Sequence, residues 1–186
     1  VLLAQDKINS IEAKNILNNK EILIDKIPRK EIKFPIGIFD IIEIPKTKEN
    51  FLFLLNKKGT FFLKKINDKK AEVKLLKITG KQILKKNKLQ LNFYNGSNLL
   101  NENKDYKIGD TLLINLKDKK IIKHLKLDKG SEVYLIGGKY VGSIGTVEKL
   151  PSFDKVKNNM VELKIDNKHV KTLKDYIFVI DKEIVE

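Results

Sequence analysis

From residue 37 onward the chain offers no apolar run long enough for a buried helix. Its hydrophobic stretches are short, β-branched or aromatic, and glycine, proline or asparagine turn chemistry closes them off, as 51–55 is closed by Asn56-Lys57-Lys58-Gly59. Punctuation at this spacing limits the fold to many short strands, so a small barrel or sandwich is expected.

The strands predicted on this basis are 38–44, a hairpin over 51–66, then 73–78 and 88–93 separated by Gly80 and a polar stretch. Residues 95–98 and 101–104 carry loop chemistry. The last third repeats the pattern with 111–116, 120–127, 132–136, 161–165 turning at Asp166-Asn167-Lys168, and 177–180. Five short strands around the glycine-rich stretch 137–147 fit an SH3-like barrel. Only the beginning departs from β. Ser10 as N-cap, Glu12 in the first turn and the stripe Ile11, Ala13, Ile16, Leu17 predict a helix that Asn18-Asn19 ends. Residues 21–27 alternate about an Asp25-Lys26 turn and predict a short hairpin.

Charge decides the company such a chain keeps. Basic residues number 38 and acidic residues 24, a formal excess of +14, which favours a polyanion. Arg29 is the single arginine. Lysines follow phosphates as point charges, whereas reading a guanine edge calls for a bidentate arginine. With 41% hydrophobic residues the chain can still bury a core. Cysteine is absent, which removes disulfides, thiolate zinc sites and cysteine nucleophiles and makes an intracellular home the simplest reading. No apolar run approaches the ~20 residues of a membrane span. The first residue is Val1, so a preceding segment is expected.

Catalytic constellations are missing. Gly138-Lys139 is followed by Tyr140 and β residues, not by the Ser or Thr and helix of a phosphate loop, and Gly142 with Gly145 lacks the start of a dinucleotide fingerprint. Those glycines serve tight turns and close backbone approach, or an RNA contact; both readings stay open. His124 and His169 lie in strand-like stretches without a second ligand at metal spacing. Acid pairs such as Asp6 with Glu12, or Asp110 with Asp118, read as surface charge pairing and turn chemistry. No Gly-x-Ser-x-Gly elbow is present. Phe51, Phe53, Phe61 and Phe62 are expected in a core, and Tyr140, beside Lys139, either stacks on a base or packs at a barrel rim.

The order of these segments resembles the archaeal and eukaryotic small-subunit ribosomal protein family S4e. Residues 12–17 followed by 22–25 resemble the core of an S4-type RNA-binding domain, and residues 33–42, Lys-Phe-Pro-Ile-Gly-Ile-Phe-Asp-Ile-Ile, a family segment. The hairpin from Glu49 to Gly59 and Gly109-Asp110-Thr111 match further landmarks. Gly137-Gly138 with Gly142 and Ile144-Gly145 resembles a KOW element, although Ser143 stands where the family has Arg; in the first hairpin, Asp25-Lys26 stands where the family has an Asp-Gly turn. Residues 152–154 and 177–180 complete the likeness.

That resemblance implies an α+β, mainly β fold: a helix-plus-hairpin S4-like RNA-binding domain over 1–37, a central β-barrel-like domain over 38–125 and an SH3-like KOW barrel over 126–186. It implies a structural, rRNA-binding constituent of the cytoplasmic small ribosomal subunit, without enzymatic activity or cofactor, partnered by rRNA and neighbouring ribosomal proteins and not by membrane or its own copies. The expected RNA contacts are Lys14, Lys20, Lys26, Arg29, Lys30 and Lys33 on one element, with Gly137, Lys139, Tyr140, Gly142 and Lys149 on another. Two rivals are an RNA-modifying enzyme with an S4-type handle and a transcription elongation or RNA-binding regulatory factor using its KOW barrel.

Overall fold

A computed structural model describes residues 22–31, 33–85, 88–101, 105–150 and 159–185. Regular structure there is almost all β: fifteen strands in three five-stranded antiparallel sheets, two 3-10 turns at Lys70–Glu72 and Lys174–Tyr176, and one helical turn, α1 (Lys182–Val185). This corrects the α+β assignment. The helix predicted around residues 10–17 lies outside the described residues, and the hairpin predicted beside it is not half of a helix-plus-hairpin domain. Strands β1 (Leu23–Ile24) and β2 (Ile27–Pro28) extend a sheet built by β3 (Ile41–Ile44), β4 (Glu49–Leu55) and β5 (Phe61–Ile66), in the order β2-β1-β3-β4-β5. The reason is that two-residue strands cannot bury their own side chains. Leu23 and Ile24 therefore pair with Glu43 and Ile42 as well as with β2, and Ile22 joins Ile42 and Phe51 in one apolar cluster.

Beyond Glu49, β4 is buried along its whole length, as its unbroken Phe-Leu-Phe-Leu-Leu run requires of a strand covered on both faces. Its hairpin to β5 closes through Asn56, whose Oδ1 accepts from the amides of Lys58 at 2.9 Å and Thr60 at 3.0 Å. Phe51 and Phe53 are buried, but Phe61 is 52% exposed and stacks on Phe53 at 4.8 Å.

The second sheet has the order β10-β9-β6-β7-β8, with β6 (Val73–Ile83), β7 (Leu89–Phe93), β8 (Asn98–Asn101), β9 (Thr111–Asn115) and β10 (Ile121–Leu125). Strand β6 runs on through Gly80, where the sequence suggests a break, because a bulge between Ile78 and Gly80 absorbs the irregularity. Leu76, Ile78, Leu89, Leu91, Phe93, Tyr106, Leu112 and Ile114 form its core.

The third sheet, order β14-β13-β12-β11-β15, holds β11 (Glu132–Leu135), β12 (Ile144–Lys149), β13 (Met160–Ile165), β14 (Lys168–Leu173) and β15 (Ile177–Val179). Val170 on one edge strand and Ile177 and Val179 on the other share a single cluster with Val133, Leu135, Val147, Val161, Leu163 and Ile165, so the sheet coils round one core. Contacts divide the chain into two compact units, Val1–Lys74 with Asn115–Lys120, and Leu75–Ile114 with Ile121–Glu186.

Candidate nucleic-acid interface

The β1–β2 turn holds Asp25 and Lys26 at φ 52° and 67°, a left-handed pair that residues with a β-carbon seldom adopt. Asp25 fixes it. Its amide donates to the Ile41 carbonyl at 2.9 Å, and its Oδ1 accepts from the Ile41 amide at 3.1 Å. The other oxygen, Oδ2, accepts from Lys74 Nζ, which also donates to Asp40 Oδ1 at 2.5 Å. Asp40 Oδ2 in turn accepts from the Gly37 amide at 2.7 Å. The Lys74 side chain is only 3% exposed, so one buried ammonium serves two carboxylates. Burial pushes the Asp40 carboxyl above the ordinary aspartate range despite Lys74 beside it, because desolvation and the second carboxylate both oppose its charge. The triad is a clamp that ties the hairpin turn and the 37–40 bend to the first residues of β6.

Of the cations predicted to meet RNA here, Lys26 is engaged within the fold: its Nζ lies 2.7 Å from Glu43 Oε2, and 25% of its side chain is exposed. Arg29 lays its guanidinium 4.1 Å above the Phe34 ring, and its Nε is buried with no hydrogen-bond partner among the described residues. Lys30 and Lys33 are exposed, with no ion pair among the described residues. Lys14 and Lys20 lie outside the described residues.

The glycine loop between β11 and β12 is stitched by backbone bonds. Gly142 at φ 73° donates to the Leu135 carbonyl at 2.7 Å, and Leu135 donates to Ser143 at 3.0 Å. Gly138 has φ 77°. Gly145 answers to packing, since a β-carbon there would stand 2.8 Å from Ile165 Cγ1. Lys139 is exposed, with its Nζ 5.8 Å from the Tyr140 ring centre, and Tyr140 packs against the third-sheet core, which is the rim-packing role. Lys149 is exposed at the end of β12, after a bulge. The structure therefore brings Gly137, Lys139, Tyr140 and Gly142 into one loop.

A residue the sequence did not single out sits against that loop. A β-carbon on Gly137 would come within 2.9 Å of Tyr176 Cδ1, and one on Gly138 within 3.3 Å of Cδ2. Tyr176 ends the Lys174–Tyr176 turn, whose carbonyls at Lys174 and Asp175 accept from Lys77 Nζ at 3.1 and 2.9 Å. Lys77 is 4% exposed, and burial lowers its pKa from 10.5 to about 8, with the Asp175 carboxylate pulling the other way and Lys174 adding to the drop. No local pattern marks Lys77 for this role, since its partners lie 97 and 98 residues further along the chain.

Both histidines and the acid Asp110 are engaged within the fold. Asp110, 2% exposed, is no surface acid: its Oδ1 accepts from Leu127 at 3.0 Å, and its Oδ2 accepts from the Lys107 amide at 3.0 Å and lies 2.7 Å from His124 Nε2. His124 also meets the Tyr106 ring edge-on at 4.8 Å. His169 Nδ1 lies 2.6 Å from Glu148 Oε2 on the surface. Among the described residues no three His, Cys, Asp or Glu side chains group as metal ligands, and no helix is long and apolar enough to cross a membrane.

Residues 47–121 match the model of Ribosomal family S4e. A small ribosomal subunit protein eS4 of Archaeoglobus fulgidus is 36% identical over 172 residues, 92% of this chain and 72% of that protein. The eS4 protein of Methanosphaera stadtmanae is 39% identical over 179 residues, 95% of this chain and 74% of its own. In three dimensions the chain is similar to the crystal structure of the 30S ribosomal protein S4e from Thermoplasma acidophilum, with a TM-score of 0.84 at 32% identity, covering 96% of this chain and 88% of that one.

Proposed function

The chain belongs to the ribosomal family S4e, and from that premise we propose that it works as an architectural, non-catalytic protein that binds rRNA at two separate elements. It is a structural constituent of the small ribosomal subunit, in the cytoplasm, and rRNA and other ribosomal proteins are its surroundings. The observation that carries this is the extent of the likeness: 36% identity spread over 92% of the chain, not confined to the glycine loop that many RNA-binding proteins carry. For that reason the elongation-factor and modifying-enzyme readings are not carried forward.

The RNA contacts follow from exposure and charge. Lys30 and Lys33 neutralise phosphates on one rRNA segment, with Arg29, held flat by Phe34, offering its outer nitrogens; Lys14 and Lys20 extend the same basic tract, and Lys26 contributes less because Glu43 occupies it. Lys139 and Lys149, with the backbone at Gly137 and Gly142 and the rim residue Tyr140, meet another segment. Two contacts on one chain hold two RNA segments together with an avidity exceeding either alone. The formal charge of +14 supplies the sequence-independent part of this binding.

Sedimentation of a native lysate through sucrose gradients at low and high salt, with the chain followed by mass spectrometry, tests the proposal. Comigration with small subunits that survives high salt is expected. A peak at the top of the gradient at every salt would refute it.

A further inference from the structure

Tyr176 is built like a seat. Gly137 faces its Cδ1, Cγ and Cε1 atoms, at 2.9, 3.1 and 3.3 Å from where a β-carbon would be, while Gly138 faces Cδ2 and Cε2 at 3.3 and 3.6 Å. The two glycines thus lie on either side of the ring's long axis, and the peptide between them runs beneath one face. A side chain at Gly137 would lift the ring away. The backbone that carries the ring is anchored: the Tyr176 carbonyl accepts from Ile136 at 2.8 Å, and the two carbonyls before it accept from Lys77.

The residue nevertheless remains 39% exposed, and among the described residues no other ring stacks on it. The other tyrosines near this sheet are differently placed: Tyr134 is buried in β11, Tyr140 packs on the core, and Tyr94 meets Phe178 edge-on at 5.9 Å. An aromatic ring braced by backbone and still partly exposed loses little entropy when a second flat surface settles on it. Lys139, exposed and adjacent to Gly138, supplies a cation at the same loop.

We propose that the open face of Tyr176 is a stacking site for an unpaired RNA base, whose backbone phosphate meets Lys139. The inference rests on the rRNA-binding reading above and specifies it: the glycine loop takes a single-stranded or bulged nucleotide, because a base stacked within a helix has no free face to offer. Stacking of this kind tolerates any base and adds to phosphate binding without replacing it.

Anisotropy titrations of the whole chain with a labelled oligoadenylate and with an abasic strand of equal length read the base contribution directly. The wild type should bind the oligoadenylate roughly tenfold more tightly. Tyr176→Phe should keep that preference, and Tyr176→Leu should reduce it below about twofold while leaving abasic binding unchanged. Equal binding of both strands by the wild type, or full preference in a folded Tyr176→Leu variant, would overturn the proposal. Because the leucine variant can fail by misfolding, a strand carrying 2-aminopurine gives a second reading on the wild type alone: quenched emission on saturation supports the seat, and unchanged emission removes it. A chain that cosediments with small subunits yet shows no base preference loses only this site, whereas one that fails to cosediment loses the rRNA reading.

Discussion

Four cations crowd residues 26–33 around the first hairpin, yet Lys26 is tied to Glu43 and Arg29 lies on Phe34, which leaves Lys30 and Lys33 as the ones with no pairing among the described residues. The glycine loop carries one cation, Lys139, and instead presents bare backbone and a propped aromatic ring. The two regions are also held by different means. A buried ammonium shared between Asp25 and Asp40 fixes the hairpin, while the loop is fixed by the fit of Tyr176 against two glycines and by a lysine bound to carbonyls. Positive charge in a sequence is therefore a poor measure of charge free to meet RNA, and a region nearly empty of charge can be the better shaped one.

The largest effect should come from the clamp. Lys74→Met leaves the buried Asp40 and the half-buried Asp25 facing each other without their cation and should cost about 3–5 kcal/mol in urea unfolding. A loss under about 1 kcal/mol would mean that the hairpin does not depend on the triad. On the loop side, Gly137→Ala drives a methyl into the Tyr176 ring and should cost about 1–3 kcal/mol by overpacking. The same substitution in a Tyr176→Ala background should be nearly free, and a cost that persists there would place the glycine's importance elsewhere.

Lys77 gives the loop side an alkaline pH signature, distinct from the one that the raised Asp40 carboxyl gives the hairpin clamp. Its native pKa is about 8, below the unfolded value of 10.5, so over that window the unfolded chain binds more protons and stability attributable to this group rises with pH. Between pH 8 and 9.5 the wild type should gain about 1.5 kcal/mol relative to Lys77→Met, measured by denaturant unfolding at each pH. A flat difference between the two proteins would deny the buried charge. The smallest effects concern salt. Lys30→Ala and Lys33→Ala should each lower the slope of log affinity for rRNA against log salt by roughly one, and Lys26→Ala by less than half of that. Equal slopes for all three would erase the distinction between engaged and free cations.

Local chemistry made much of this legible. The hairpins over β4–β5 and β13–β14 follow from turn residues, Asn56 to Gly59 in the first and Asp166-Asn167, at φ 45° and 65°, in the second. The family was readable from the order of motifs along the chain, a signal that survives where single motifs are weak. Long-range pairing was not. Strand β8 is asparagine-bounded and polar enough to read as loop, and it is a strand because Leu99 and Leu100 find partners in Leu91 and Gln90. The hairpin predicted over 21–27 reads as part of a helix-containing domain because its neighbour, Ile42, lies beyond Pro28 and Pro35, where periodicity carries no information. The cluster at 26–33 reads as basic, and no sequence pattern reveals that Glu43 and Phe34 occupy two of its members. Tyr176 escaped for the same reason: its partners are glycines, which leave no pattern of their own.

The division of the chain has a bearing on synthesis. Residues 115–120 belong to the same compact unit as residues up to Lys74, where the Leu116 amide donates to the Glu72 carbonyl at 2.9 Å and Lys117 pairs with Glu72 at the same distance. A nascent chain emerging from its N-terminus therefore cannot complete its first unit until the whole of 75–114 has left the exit tunnel. By then β6, β7 and β8 are already outside, so the strands of the later unit are free to pair before the earlier unit is closed.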